Sequence, residues 1–335
     1  MGFRVGGLMT SKSIWITWED HRRSRELAAA FACEYVCFIS KRNRFFRYVI
    51  LSIKTLKYVV KCKPSLIFCQ NPSIILALIL CFYKKIIGYK LVVDRHSNFK
   101  FDSRKSLNPI WFVFHFISNF SLKKADFTIV TNQYLKDFVD SLGGCAFILP
   151  DKLPSLDCTT LPVHHKRKEV TFISTFSDDE PILEVLSAAS LLSNEYIIYI
   201  TGSYKKYKSI EQLKKIIPDN VVLTGFLPEH DYQLRLASSD ALMVITTLEY
   251  TLTCGAYEAV ALGKPMILGN TKTIMEYFNK GALYTSLTPS EIAENIIKLF
   301  RDIELFQDQV SELRAELEAD WNIKFSQIVR ALNEM

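Results

Sequence analysis

The chain has 335 residues, 49% hydrophobic and 23% charged, enough to build two cores of ordinary size, which excludes a disordered or low-complexity protein. Charge divides along the chain: residues 1–167 hold 26 Lys+Arg against 11 Asp+Glu, a net +15, and the remainder 15 against 24, a net −9, summing to the overall +6. A basic half invites an anionic partner such as phosphate or a lipid surface, but no nucleic-acid-binding motif accompanies the charge, so nucleic acid is not an expected partner.

The first residues, MGFRVGGLMTSKSIWITW, lack a continuous apolar stretch followed by a small-residue cleavage site, so the chain is expected to remain cytoplasmic. Residues 13–18 (SIWITW) read as a buried strand and 22–31 (RRSRELAAAF) as the helix after it. Helical periodicity returns at 48–60, and 65–70 (SLIFCQ) is a second strand. The longest apolar run, 74–82, is about half of the roughly 20 residues a spanning helix needs, and reads as a buried helix. Further strands follow at 90–94 (KLVVD), 127–131 (FTIVT) and 146–149 (AFIL), with helices at 107–122 and 132–141 between them. Residues 150–168, with three prolines and no periodicity, read as a linker.

Beyond it the alternation resumes: strands at 170–175, 196–201, 221–224, 241–246, 265–268 and 283–285, helices between them, and a long charged helix over 303–333. Strand and helix alternating in this way predict parallel sheets covered on both faces. The fold class is therefore α/β with two Rossmann-like domains and a cleft between them. The expected boundaries are 1–160 for the first, 168–312 for the second, and 313–335 for a helix crossing back to the first. Eight cysteines contain no C-x-x-C pair, so neither disulfides nor zinc is indicated.

In open parallel sheets, ligands bind beyond the carboxyl ends of the strands. The sharpest segment there is TTLEYTLTCGAYEAVALGKPMILGN, residues 246–270, which follows one predicted strand, opens a helix and leads into the next. The small residues Gly255 and Ala256 allow close backbone approach, and the helix N-terminus offers amides and positive dipole suited to a diphosphate. Glu258, one turn in, could accept two hydrogen bonds from vicinal ribose hydroxyls. The alternative is a capped helix with a surface glutamate.

The stretch CGAYEAVALGKPMIL resembles the donor-binding motif of retaining GT-B glycosyltransferases, a small-residue loop followed by a glutamate and an E-A-x-A-x-G-x-P run into a strand. LTGFL at 223–227 and LASSDALMV at 236–244 are similar to that family's strand, turn and helix just upstream. The resemblance implies that Glu258 holds the nucleotide ribose, and that Cys254, Gly255 and Ala256 take the phosphates. Thr175 and Gly202, in neighbouring strand-end loops, are expected to line the donor, and Lys205 to supply positive charge. KLVVDRHSNF at 90–99 resembles the family strand whose end carries a histidine beside the donor sugar, which maps to His96.

In the first domain, Glu19-Asp20-His21-Arg22-Arg23 follows the first strand. Glu19 or His21 could deprotonate an acceptor hydroxyl if configuration is inverted, and Arg22 or Arg23 could bind an acceptor phosphate; otherwise these charges only cap the helix that begins there. The family's two acids stand eight apart, whereas Tyr250 lies eight before Glu258 and Glu249 nine, so Glu249 takes the catalytic position only through a one-residue loop insertion. The Arg and Lys common after the first strand of the second domain are replaced by ISTFSDDEP, without a cation.

With no D-x-D motif at a predicted strand end, no metal or other cofactor is expected. The implied activity is sugar transfer, with retention, from a nucleotide-diphosphate sugar to a polysaccharide or lipid-linked glycan, as in surface polysaccharide biosynthesis. Aromatics at 111–120 beside Lys123 and Lys124 suit peripheral contact with an anionic membrane, or else ordinary packing on the sheet. Two other functions fit the same donor site: a nucleotide-sugar epimerase, and a catalytically inactive sugar-nucleotide-binding subunit.

Overall fold

The structure, a computed structural model, describes residues 12–71, 73–97, 100–156, 167–207 and 210–334. It divides into two compact units, the first from the N-terminus to Lys152 together with Trp321–Met335, the second Leu153–Asp320. The division falls at the start of the expected linker, whose residues 157–166 lie outside the described residues, as do Asn98 and Phe99 and the chain's first eleven residues.

Unit 1 contains β1 (Ser13–Thr17), α1 (Arg22–Ala30), β2 (Glu34–Cys37), α2 (Arg44–Cys62), β3 (Leu66–Gln70), α3 (Ile74–Ile87), β4 (Lys90–Arg95), α4 (Pro109–Lys124), β5 (Phe127–Val130), α5 (Gln133–Ser141) and β6 (Ala146–Ile148). The six strands form one parallel sheet in the order β2-β1-β3-β4-β5-β6. Alternation sorts its side chains: Ile14 and Ile16 enter the core under α2 and α3, while Trp15 between them enters the opposite core with Phe31 and Phe68. Helix ends follow local chemistry. The Asn43 and Asn132 side chains accept the first-turn amides of α2 and α5, and Gly88 ends α3 at φ 87°.

Strand β2 was not expected from sequence. Its residues EYVC are only half-buried, as befits a four-residue edge strand without an apolar run.

Unit 2 contains β7 (Lys168–Phe172), α6 (Ile182–Ser190), β8 (Tyr196–Thr201), α7 (Ile210–Lys215), β9 (Val221–Gly225), α8 (Glu229–Ser238), β10 (Ala241–Val244), α9 (Cys254–Ala261), β11 (Met266–Gly269), α10 (Lys272–Tyr277), β12 (Ala282–Thr285) and α11 (Pro289–Arg301). Its parallel sheet has the order β12-β11-β10-β7-β8-β9. The fold class is as expected: two six-stranded parallel sheets, each flanked by helices. The last helix, α12 (Ile303–Asn333), begins in unit 2 and joins unit 1 from Trp321 onward. There Trp321 is buried and its indole N–H donates to the Pro150 carbonyl at 3.2 Å. No disulfide joins the described cysteines. Among the described residues, no helix is long and apolar enough to cross a membrane.

Strand order locates the ligand crevices. In unit 1 the chain leaves β1 for β2 on one side and returns to β3 on the other; in unit 2 it runs β7-β8-β9 one way and resumes at β10 on the far side of β7. Loops diverging at such switch points open a crevice at the strand C-termini. The loops concerned follow β1 and β3, and β7 and β10.

Candidate functional site

In unit 2, β7 and β10 both end earlier than the sequence suggested, so Thr175 and Thr246 lie in the crevice loops rather than in strands. Both loops turn through a non-glycine residue in the left-handed region, Phe176 at φ 60° and Tyr250 at φ 59°. The loops are tied together: Thr246 Oγ1 donates to Asp179 at 2.6 Å, and the Thr247 amide to the Asp179 carbonyl at 3.1 Å.

Helix α9 starts from the second loop. Thr253 is its N-cap but makes no side-chain cap bond, and its hydroxyl is buried without a partner. Cys254 is exposed at the first position, and Gly255 and Ala256 are buried. Glycine has a packing role here as well. A Cβ at Gly255 would stand 3.0 Å from both Ile173 Cδ1 and Val244 Cγ2, so the missing side chain lets α9 pack on the sheet. The Ala256 amide already donates to the Thr253 carbonyl at 3.2 Å.

Glu258 is 5% exposed, one turn into α9, and its Oε2 accepts the Tyr232 hydroxyl of α8 at 2.7 Å. Tyr232 also lines a cavity of about 500 Å³ walled by Ser174, Thr175, Gly202, Phe226 and Leu227. Gly202, at φ 97°, is required there because a Cβ would fall 2.2 Å from the Ser174 carbonyl oxygen. Lys205 is exposed on the short 3₁₀ turn Tyr204–Lys206. Glu249 is exposed on the turn before α9, and half-buried Tyr250 follows it.

The loop without a cation is organised around a carboxylate. Glu180 accepts the Thr175 amide at 2.9 Å, the Thr175 hydroxyl at 3.0 Å, the Ser174 hydroxyl at 2.7 Å and the Ser177 amide at 3.2 Å. Converging backbone amides of this kind form an anion-binding concavity. Sequence reasoning passed over Glu180; an acid five residues after exposed Thr175 was its only signal.

In unit 1, His96 follows β4 and its Nδ1 lies 3.3 Å from Asp94 Oδ2. The His21 ring stacks on it at 5.0 Å between centroids. His21 Nδ1 is buried without a partner, and burial, followed by the charge of His96, lowers its pKa below the ordinary 6.5. Asp94 is wholly buried. Burial alone would raise its pKa, but the Arg23 charge and the His96 hydrogen bond outweigh it and hold the carboxyl well below its ordinary value.

Arg23 corrects the sequence reading. It is 2% exposed, with Nε and Nη2 on Asp94 at 3.1 and 2.9 Å, Nη2 also on the Leu149 carbonyl at 2.9 Å, and Nη1 on Asp151. A guanidinium engaged on every nitrogen below the surface does not meet an acceptor phosphate; it fixes the Asp94 carboxylate that orients His96. Arg22 is half-buried beside Glu26, at 3.9 Å. Asp20 is held by Arg25 and Tyr35.

His21, His96 and exposed Glu19 meet in one cavity of about 690 Å³, with Gln70 at the polar end and α2, α3 and α4 along the sides. Among the described residues of both units, no group of three or more His, Cys, Asp or Glu is arranged to hold a metal ion.

Residues 160–315 match the family model described as Glycosyl transferases group 1. No curated protein sequence matches the chain. Among solved structures, HepE of Anabaena, in complex with UDP and glucose, is similar with a TM-score of 0.73 at 14% identity, over 97% of this chain and 100% of that one. Sucrose-phosphate synthase from Thermosynechococcus elongatus gives 0.73 at 13%, over 96% and 98%. A protein described as a UDP-N-acetylglucosamine 2-epimerase from Listeria monocytogenes gives 0.66 at 10%, over 96% of each chain. These identities speak for the fold, which is GT-B. The match to the family model over residues 160–315 speaks for the activity: the chain is a glycosyltransferase.

Proposed function

We propose that the chain transfers a sugar, with retention of configuration, from a nucleoside-diphosphate sugar to a growing or lipid-linked glycan, as a step in surface polysaccharide assembly. The observation that carries the donor side is Glu258, buried one turn into α9 at the unit 2 switch point and held by Tyr232. A carboxylate fixed there suits the two ribose hydroxyls, and the α9 N-terminus suits the departing diphosphate. HepE, with UDP and glucose bound, shares this fold and supports a nucleotide sugar as donor.

The acceptor side belongs to unit 1, whose cavity collects Glu19, His21 and His96. Asp94 bonded at Nδ1 favours the tautomer of His96 that leaves Nε2 to accept a hydroxyl proton or polarise a sugar hydroxyl. Under retention no protein base is obligatory, because the leaving phosphate oxygen can take the acceptor proton as the new glycosidic bond forms. The reaction needs no metal: the α9 amides and Lys205 neutralise the diphosphate. The enzyme works at the face of an anionic membrane.

Thermal stabilisation by a panel of UDP, GDP, ADP, CMP and their sugars, with and without EDTA, tests this reading. A rise specific to one base and unchanged by EDTA is expected. No rise with any donor would favour an inactive subunit, and an EDTA-sensitive rise would overturn metal independence. Conversion of the donor sugar to its epimer without transfer would favour an epimerase.

A further inference from the structure

The unit 1 cavity is divided by chemistry. Its polar lining includes Glu19, His21, His96 and Gln70, but its sides carry hydrocarbon: Leu51 of α2, Ile74 of α3, and Val113 and Ile117 of α4. A free sugar against such walls would leave hydroxyls desolvated and unpaired. Arg47 is the one arginine or lysine among the described lining residues. Its Nε is buried without a hydrogen-bond partner, an arrangement that favours an anion within reach.

The hydrocarbon continues onto the surface. Phe45 and Phe46 of α2 are 72% and 57% exposed, and Ile110, Phe112 and Phe116 of α4 are 71%, 74% and 64% exposed. Large exposed apolar side chains on two of the helices that wall the cavity favour a binding surface there. Exposed Lys41 and Arg42 precede α2 in the chain, and exposed Lys100 and Lys105, with exposed Asp102, precede α4.

We propose that this cavity binds a phosphate-bearing, single-chain amphiphile, with Arg47 on the phosphate and the chain lying along the α2 and α4 walls toward the exposed face. The inference rests on the acceptor being lipid-linked and names the residues that recognise its carrier. A concave cavity takes one chain, whereas a bilayer meets only the outer face; Arg47 and the basic segments that precede α2 and α4 complement the charge of the phosphate.

Titration calorimetry of the full chain with farnesyl phosphate, farnesol and inorganic phosphate tests it. Farnesyl phosphate is expected to bind at least about tenfold more tightly than either fragment. Arg47→Gln should reduce farnesyl phosphate binding to the farnesol level, and Val113→Asn should weaken both ligands with an unchanged melting temperature. Equal affinity for inorganic phosphate, or an Arg47→Gln variant that binds as tightly as the parent, would overturn the proposal. So would retention on phosphatidylglycerol vesicles without farnesyl phosphate binding, which marks a surface contact instead. Nucleotide-sugar stabilisation of the same preparation separates the two readings. Donor binding without amphiphile binding refutes the cavity alone, and amphiphile binding without donor binding refutes the transferase reading while the cavity site stands.

Discussion

The Tyr232 hydroxyl donates to Glu258 Oε2 at 2.7 Å, joining α8 to α9 across 26 residues of sequence. The carboxylate is buried, and this bond helps to hold its orientation. Removing the hydroxyl, in Tyr232→Phe, should let Glu258 rotate and weaken donor binding by about tenfold, since a hydrogen bond to a charged group contributes about 1.5–3 kcal/mol. The change should fall on the donor KM more than on kcat. A donor KM equal to the parent's would show that Tyr232 does not position the carboxylate.

Arg23 and Asp94 form a buried pair, and removing one partner strands the other. Arg23→Met should cost about 3–5 kcal/mol in denaturant unfolding, whereas the double variant Arg23→Met/Asp94→Leu should recover part of that loss. An Arg23→Met chain as stable as the parent but with a raised acceptor KM would return Arg23 to acceptor binding.

Sequence made the alternation of strand and helix visible, and with it the parallel sheets, because each buried strand is a short apolar run. It also placed Glu258 one turn into a helix. It could not tell which way Arg23 turns: a basic residue just after a strand gives one signal whether its guanidinium faces solvent or a carboxylate 71 residues away. Gly255 illustrates the same limit. Smallness at a helix start serves ligand approach or close packing, and only the neighbouring Ile173 and Val244 reveal the packing role. The Tyr232–Glu258 bond leaves no periodic trace at all.

Acid should weaken unit 1 in two stages. His21 has a folded pKa below its ordinary 6.5, so the unfolded chain binds the proton first and stability falls as pH drops below that value. Asp94 is also held below its ordinary 3.8, so its contribution is present above that pH and is lost as the pH falls beneath it. Urea unfolding between pH 7.5 and 3.5 should show the first slope, and His21→Gln should flatten it near pH 6. An unflattened slope would assign it to other groups.

Glu180 gathers two amides and two hydroxyls of the β7–α6 loop. Glu180→Ala should destabilise the folded chain by about 1–3 kcal/mol and expose the loop to proteolysis, because four donors lose one acceptor group. Unchanged unfolding and cleavage would show that the loop holds itself.

The central claim is that unit 2 binds a nucleotide sugar through Glu258. The most direct measurement is donor affinity, by calorimetry in EDTA, for the parent and for Glu258→Gln, which keeps the shape and the acceptor for Tyr232 but removes the charge. The expected result is a loss of about tenfold or more in affinity with melting temperature nearly unchanged. Equal donor affinity in the two chains would contradict the account.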